Sequence, residues 1–135
     1  MTVIRRADAR RTTTHNGTMT TLASPAQGGA AWAVWHVEMP PRAAGPRHAF
    51  DTEQVWTFLT GSAVVDLDGV PAEAGAGDTA VLPADVPRRV TAGPGGFTAV
   101  VTAPAGTRVY DATETRDDCD IAPKPGERLV PPWAV

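Results

Sequence analysis

The chain has 135 residues, 42% hydrophobic and 20% charged, which suits one domain around one core and leaves no room for a second of ordinary size. Its formal net charge of −3 removes the electrostatic reason to expect nucleic acid or an anionic membrane as partner. Cys119 is the single cysteine, which excludes an internal disulfide, and 13 glycines with 13 prolines argue against long helices.

No apolar run follows Met1-Thr2-Val3-Ile4-Arg5-Arg6, so neither a signal peptide nor a membrane span is expected, and the expected location is cytoplasmic. Residues 1–30 are polar and rich in threonine. β-Branched residues favour extended backbone, so one or two edge strands are expected there, with His15 solvated, before turns at Ser24-Pro25 and Gln27-Gly28-Gly29. Residues 31–39 read as a strand, with Trp32, Val34, His36 and Glu38 on one face and Ala33, Trp35, Val37 and Met39 on the other. Pro40-Pro41 ends it.

A second strand is expected over Gln54 to Leu59, stopped at Thr60-Gly61, and a third over residues 62–67 leads into a hairpin at Asp68-Gly69. Residues 79–82 and 88–91 are extended on either side of a corner between Pro83 and Pro87. Gly93-Pro94-Gly95-Gly96 reads as a turn into a last core strand that starts at Phe97. Strands recurring at this spacing with no helical period describe an all-β barrel or sandwich. The thiol of Cys119, among Asp117, Asp118 and Asp120, reads as an inert surface group, because acidic neighbours hold a thiol protonated. The tail over residues 121–135, with four prolines including Pro123 and Pro125, reads as extended and docked.

Residues 32–104 resemble the cupin superfamily, whose two motifs are G-x5-H-x-H-x3,4-E-x6-G and G-x5-P-x-G-x2-H-x3-N. The first is similar to Arg42 through His48-Ala49-Phe50, Gln54 and Gly61, and the second to residues 77–88, from Gly77-Asp78 through Leu82-Pro83 to Arg88. The resemblance implies a single-domain jelly roll of the RmlC-like type, a double-stranded β-helix. It would have an N-terminal arm over 1–30, a barrel core over 31–104 and a C-terminal segment over 105–135 packed on the barrel. It also implies a homodimer, with the threonine-rich arm and Trp133 as candidate contacts.

Metal-bound cupins hold one divalent ion through the two histidines and the glutamate of the first motif and the histidine of the second. Only His48 matches in type, since Phe50, Gln54 and Arg88 occupy the other positions. Phenylalanine has no lone pair, a glutamine carbonyl is a weak ligand, and a fixed guanidinium charge opposes a cation. No cofactor is therefore expected. A metal retained through other ligands would use His48, His36 and Glu53, although alternation turns Glu53 away from Gln54 unless a bulge intervenes.

The expected site is an apolar cup that binds a small molecule through Gln54, Trp56, Phe50, His36 and Phe58. His48 would move a proton and Arg88 would stabilise negative charge. The matching function is a metal-independent isomerase, cyclase, dehydratase or lyase acting on a small anionic or carbonyl-bearing metabolite. Two other functions fit the same residues: a non-catalytic ligand-binding or sensor cupin, and a metal-dependent, dioxygenase-like cupin. Against the site reading stands a purely structural one, with His48 bonded to a backbone carbonyl, Arg88 paired with Glu38 or Asp85, and Trp56 and Phe58 in the core.

Overall fold

The computed structural model describes residues 1–112 and 127–135, and its regular structure there is nine β-strands and two short 3-10 turns. In chain order these strands are β1 (Arg11–Thr13), β2 (Thr18–Ala23), β3 (Trp32–Met39), β4 (His48–Phe50) and β5 (Gln54–Leu67). They are followed by β6 (Val70–Gly75), β7 (Thr79–Leu82), β8 (Arg88–Pro104) and β9 (Val109–Asp111). Every pairing between them is antiparallel.

β5 and β8 are long enough to serve both halves of a roll. Their segments 55–61 and 97–102 pair with each other, with β7 outside β5 and with β3, β2 and β1 in succession outside β8. Their segments 63–67 and 88–92 pair again, flanked by β6 on one side and by β4 and β9 on the other. Two sheets that share two bent strands enclose one interior.

The bend points are glycines that read as turns in the sequence. Neither β5 nor β8 stops where expected, because the chain runs through Thr60-Gly61 and through Gly93 to Gly96. Register shifts between Phe58 and Thr60 and between Gly61 and Ala63 mark bulges, and Gly61 has φ +74. A Cβ on Gly61 would lie 2.0 Å from the Gly96 carbonyl oxygen, and one on Gly93 would lie 2.2 Å from Ser62 Oγ. At Gly61 the strands cross so closely that a side chain would run into backbone, whereas at Gly93 the obstacle is the rotatable Ser62 hydroxyl.

Local signals hold elsewhere. Asp68 and Gly69 both have positive φ and close the β5–β6 hairpin, and the Gly69 N–H donates to Asp66 Oδ1 at 3.0 Å. Along β3, Ala33, Trp35, Val37 and Met39 are buried while the alternate residues are not, as period-two patterning requires. Phe58 is fully buried, with its ring 5.3 Å from that of Phe97, and burying a side chain of that size stabilises the roll by about 1.5–3 kcal/mol.

The C-terminal segment crosses between the halves. Leu129 pairs with Val109, and Pro132–Ala134 forms a 3-10 turn packed on β1, β2 and β3. Thr21 Oγ1 donates to the Trp133 carbonyl at 2.7 Å and Ser24 Oγ to the Val135 carbonyl at 2.6 Å. Cys119, with its acidic neighbours, Pro123 and Pro125 lie outside the described residues.

Candidate functional site

Between the two halves lies a cavity of about 230 Å³. Its walls are mainly apolar, from Met19 on β2, Trp35, Val37 and Met39 on β3, and Val90 on β8. The turn between β1 and β2 contributes Thr14 and Asn16, and the C-terminal segment contributes Trp133. Into these walls are set three polar side chains, His48, Gln54 and Arg88, together with Phe50 and Trp56.

Strand register explains why these residues meet. His48 opens β4 directly opposite Arg88, the first residue of β8, and both belong to the half built from β4, β8 and β9. Gln54 and Trp56 are two residues apart on β5, so both face inward, and Trp56 Nε1 donates to Gln54 Oε1 at 3.1 Å. Arg88 Nη2 donates to the same oxygen at 2.5 Å. Two donors on one oxygen fix the orientation of the amide, so the Gln54 NH2 group faces away from both.

Gln54 is fully buried and Arg88 is 1% exposed, yet Gln54 Nε2 and Arg88 Nη1 have no hydrogen-bond partner among the described residues. A buried donor left without an acceptor costs roughly 1–3 kcal/mol, more when charged. Arg88 is packed instead over the Phe50 ring, with Cζ 4.2 Å from its centroid. No carboxylate stands within ion-pair distance of it among the described residues. Asp85, one partner considered from the sequence, accepts from the Tyr110 hydroxyl at 2.8 Å. Burial lowers the Arg88 pKa to about 10, which leaves it charged at neutral pH. Burial, and then the charge of Arg88, pushes His48 down to about 4 against an opposing pull from Asp111. The resting cavity therefore holds one cation and a neutral imidazole.

Of the residues singled out in the sequence, His48, Arg88, Gln54, Trp56 and Phe50 line one cavity. Phe58 lies beneath it in the core, in contact with Trp56 and Phe97. His36 is not brought to the cavity. It alternates with Trp35 and Val37 and so takes the outer face of β3, between Thr20 and Val100 on the neighbouring strands. Glu53 is exposed and His15 is exposed. Sequence reasoning missed Trp35, Val37 and Met39 as wall residues, although the alternation that turned His36 away placed them inward. For Trp133 no local signal existed.

The residues at the four motif positions do not fit a divalent cation. A guanidinium and the amide it bonds fill the space where acidic and imidazole ligands would converge, and the Phe50 ring already stacks on that guanidinium. The alternative ligands His36, His48 and Glu53 are not assembled, and no group of three His, Cys, Asp or Glu side chains placed to hold a metal occurs among the described residues. The motif's backbone survives where its glycines do not. Arg42 and Asp85, at two glycine positions, have φ of 59° and 62°, a conformation that costs a non-glycine residue roughly 1–2 kcal/mol.

The Cupin domain family model matches residues 35–102. Among solved structures, the polyketide cyclase RemF from Streptomyces resistomycificus is 23% identical, with a TM-score of 0.74 over 87% of this chain and 89% of that one. An RmlC-like cupin from Shewanella frigidimarina NCIMB 400 is 21% identical, with a TM-score of 0.66 over 77% and 91% of the two chains. Oxalate decarboxylase from Bacillus subtilis is 17% identical, with a TM-score of 0.67, and the match covers 73% of this chain but 27% of the decarboxylase. At these identities the likenesses establish the fold. No curated protein matches the sequence.

Proposed function

This chain belongs to the cupin family, and from that premise we propose that it is a metal-independent enzyme of the isomerase, cyclase, dehydratase or lyase type, acting on a small anionic or carbonyl-bearing metabolite. One observation carries the reading: Arg88 and Gln54 both line an apolar cavity, and each buries a donor group with no hydrogen-bond partner among the described residues. A ligand oxygen bearing negative charge, or acquiring it during reaction, supplies the acceptor both lack. The cyclase RemF shares the fold over most of both chains, which supports carbonyl chemistry as the class to test.

The chemistry follows from the charges. A carbonyl oxygen that reaches the Arg88 and Gln54 side chains is polarised before any bond breaks. Neutral His48 accepts a proton from the adjacent carbon, the C–H electron pair moves into the enolate, and the oxygen's new charge meets the guanidinium. Return of the proton at another carbon completes an isomerisation, and its delivery to a departing hydroxyl completes a dehydration.

The test is proton exchange at the α-carbon of acetylacetone in D2O, followed by NMR. The wild-type protein accelerates exchange above buffer, and His48→Gln and Arg88→Met both abolish the acceleration. Exchange at the buffer rate with wild-type protein refutes the catalytic reading. A second reading, ligand binding without turnover, is favoured by the low pKa of His48, which makes it a weak base. In that case acetylacetone shifts the protein's resonances through Arg88 while exchange stays at the buffer rate.

A further inference from the structure

We propose that the ligand of this cavity is a single conjugated ring carrying a carboxylate or enolate oxygen, and that Trp133 is the residue that selects the ring. The inference rests on the anion reading above and adds to it the shape and surface of the bound molecule.

The cavity's size sets the first limit. Sites that enclose drug-sized ligands measure about 300–1,000 Å³, and this one, at 230 Å³, falls below that range. One ring and its acid group match this volume, and anything larger would extend out of the cavity mouth into solvent.

The second limit comes from the walls. Trp35, Phe50, Trp56 and Trp133 all line the cavity, joined by the thioethers of Met19 and Met39. Flat, polarisable surfaces favour a flat ligand over a puckered one of the same volume and charge. Three of the four aromatic groups are already engaged. Trp35 is 2% exposed in the core, the Phe50 ring carries the Arg88 guanidinium, and Trp56 bonds Gln54 through its indole N–H. Trp133 is half-buried and has no ring contact with another aromatic side chain among the described residues.

The third argument is how Trp133 is held. The chain fixes it through its backbone, while the side chain packs against the core with no hydrogen bond from the indole N–H among the described residues. Its carbonyl accepts from the fully buried Thr21, the next residue Ala134 is 1% exposed, and Val135 accepts from Ser24 and from Arg10 Nη2 at 2.8 Å. Leu129, bonded to Val109, holds the other end of the segment. A wall anchored on both sides presents its ring without an ordering penalty when the ligand arrives.

The experiment is calorimetric titration of the whole chain at pH 7 with benzoate, cyclohexanecarboxylate and benzamide. Benzoate binds about three- to tenfold more tightly than cyclohexanecarboxylate, in line with the contribution of a well-placed ring contact, and benzamide binds more weakly than benzoate. Trp133→Leu brings the two carboxylates to within twofold of each other while both still bind. Intermolecular NOEs between benzoate and the Trp133 indole in the wild-type protein give the same answer without a variant. Equal binding of the two carboxylates to the wild-type protein, or absence of those NOEs, overturns ring selection and leaves anion binding intact. Binding of benzamide in preference to both carboxylates, or of none of the three at millimolar concentration, overturns the anion reading as well.

Discussion

Acid is expected to destabilise this protein partly through His48, and the magnitude follows from where the imidazole sits. Burial and the neighbouring Arg88 charge hold its folded-state pKa at about 4, against 6.5 for an ordinary histidine. The native state keeps the ring neutral while the unfolded chain protonates it below pH 6.5. The unfolded state therefore binds more protons across that window. The stability associated with neutral His48 is fully present above pH 6.5 and is lost progressively as pH falls toward 4. Between pH 7 and pH 4.5 the loss amounts to about 2 kcal/mol, from linkage at ~1.4 kcal/mol for each tenfold change in proton activity. Urea denaturation of the wild-type protein and of His48→Gln at both pH values isolates it, because carboxylates such as Asp51 titrate in both proteins and cancel. The gap in unfolding free energy between the two proteins shifts by about 2 kcal/mol in favour of the glutamine variant at pH 4.5. If both lose the same stability to within about 0.5 kcal/mol, the imidazole is not held neutral by its surroundings, and the electrostatic description of the cavity fails with it.

Four further outcomes follow from the same structure. Arg88→Met removes an orphaned Nη1 and a buried charge together with one hydrogen bond and a cation–π contact. Unfolding free energy therefore stays within about 2 kcal/mol of wild type by urea titration, while protection by benzoate in thermal melts disappears. The same substitution raises the His48 pKa by removing the repelling charge, read from the imidazole proton shift in an NMR pH titration. Gly61→Ala forces a Cβ into the Gly96 carbonyl at a left-handed position and lowers unfolding free energy by about 3–5 kcal/mol, measured by urea titration. Phe50→His, Gln54→Glu and Arg88→His combined restore the family's donor set on an intact backbone. That triple variant retains zinc through gel filtration by elemental analysis, whereas Phe50→His alone, with Arg88 in place, does not.

Much of the architecture was readable from residues alone, because its signals are local. Alternation along β3 separated its two faces without naming the buried one, so His36 was expected in the cup from the face that points away, whereas Asp68-Gly69 named a hairpin through the positive φ both positions need. The resemblance of residues 42–61 and 77–88 to the two cupin motifs implied that His48, Gln54 and Arg88 face the interior, and all three line the cavity. Gly61 and the run from Gly93 to Gly96 were misread as chain reversals. A glycine that frees the backbone and a glycine that admits another strand look identical until that other strand is in place.

Which groups lack partners was decided at the tertiary level. That Gln54 Oε1 takes two donors and leaves two others empty depends on β5 and β8 meeting at one distance. The outward turn of His36 follows from local alternation, but the arrival of Trp133 at the same cavity does not. That tryptophan reaches the wall because its carbonyl accepts from Thr21 and that of Val135 accepts from Ser24, both more than a hundred residues earlier in the chain, and no pattern within either segment encodes the meeting.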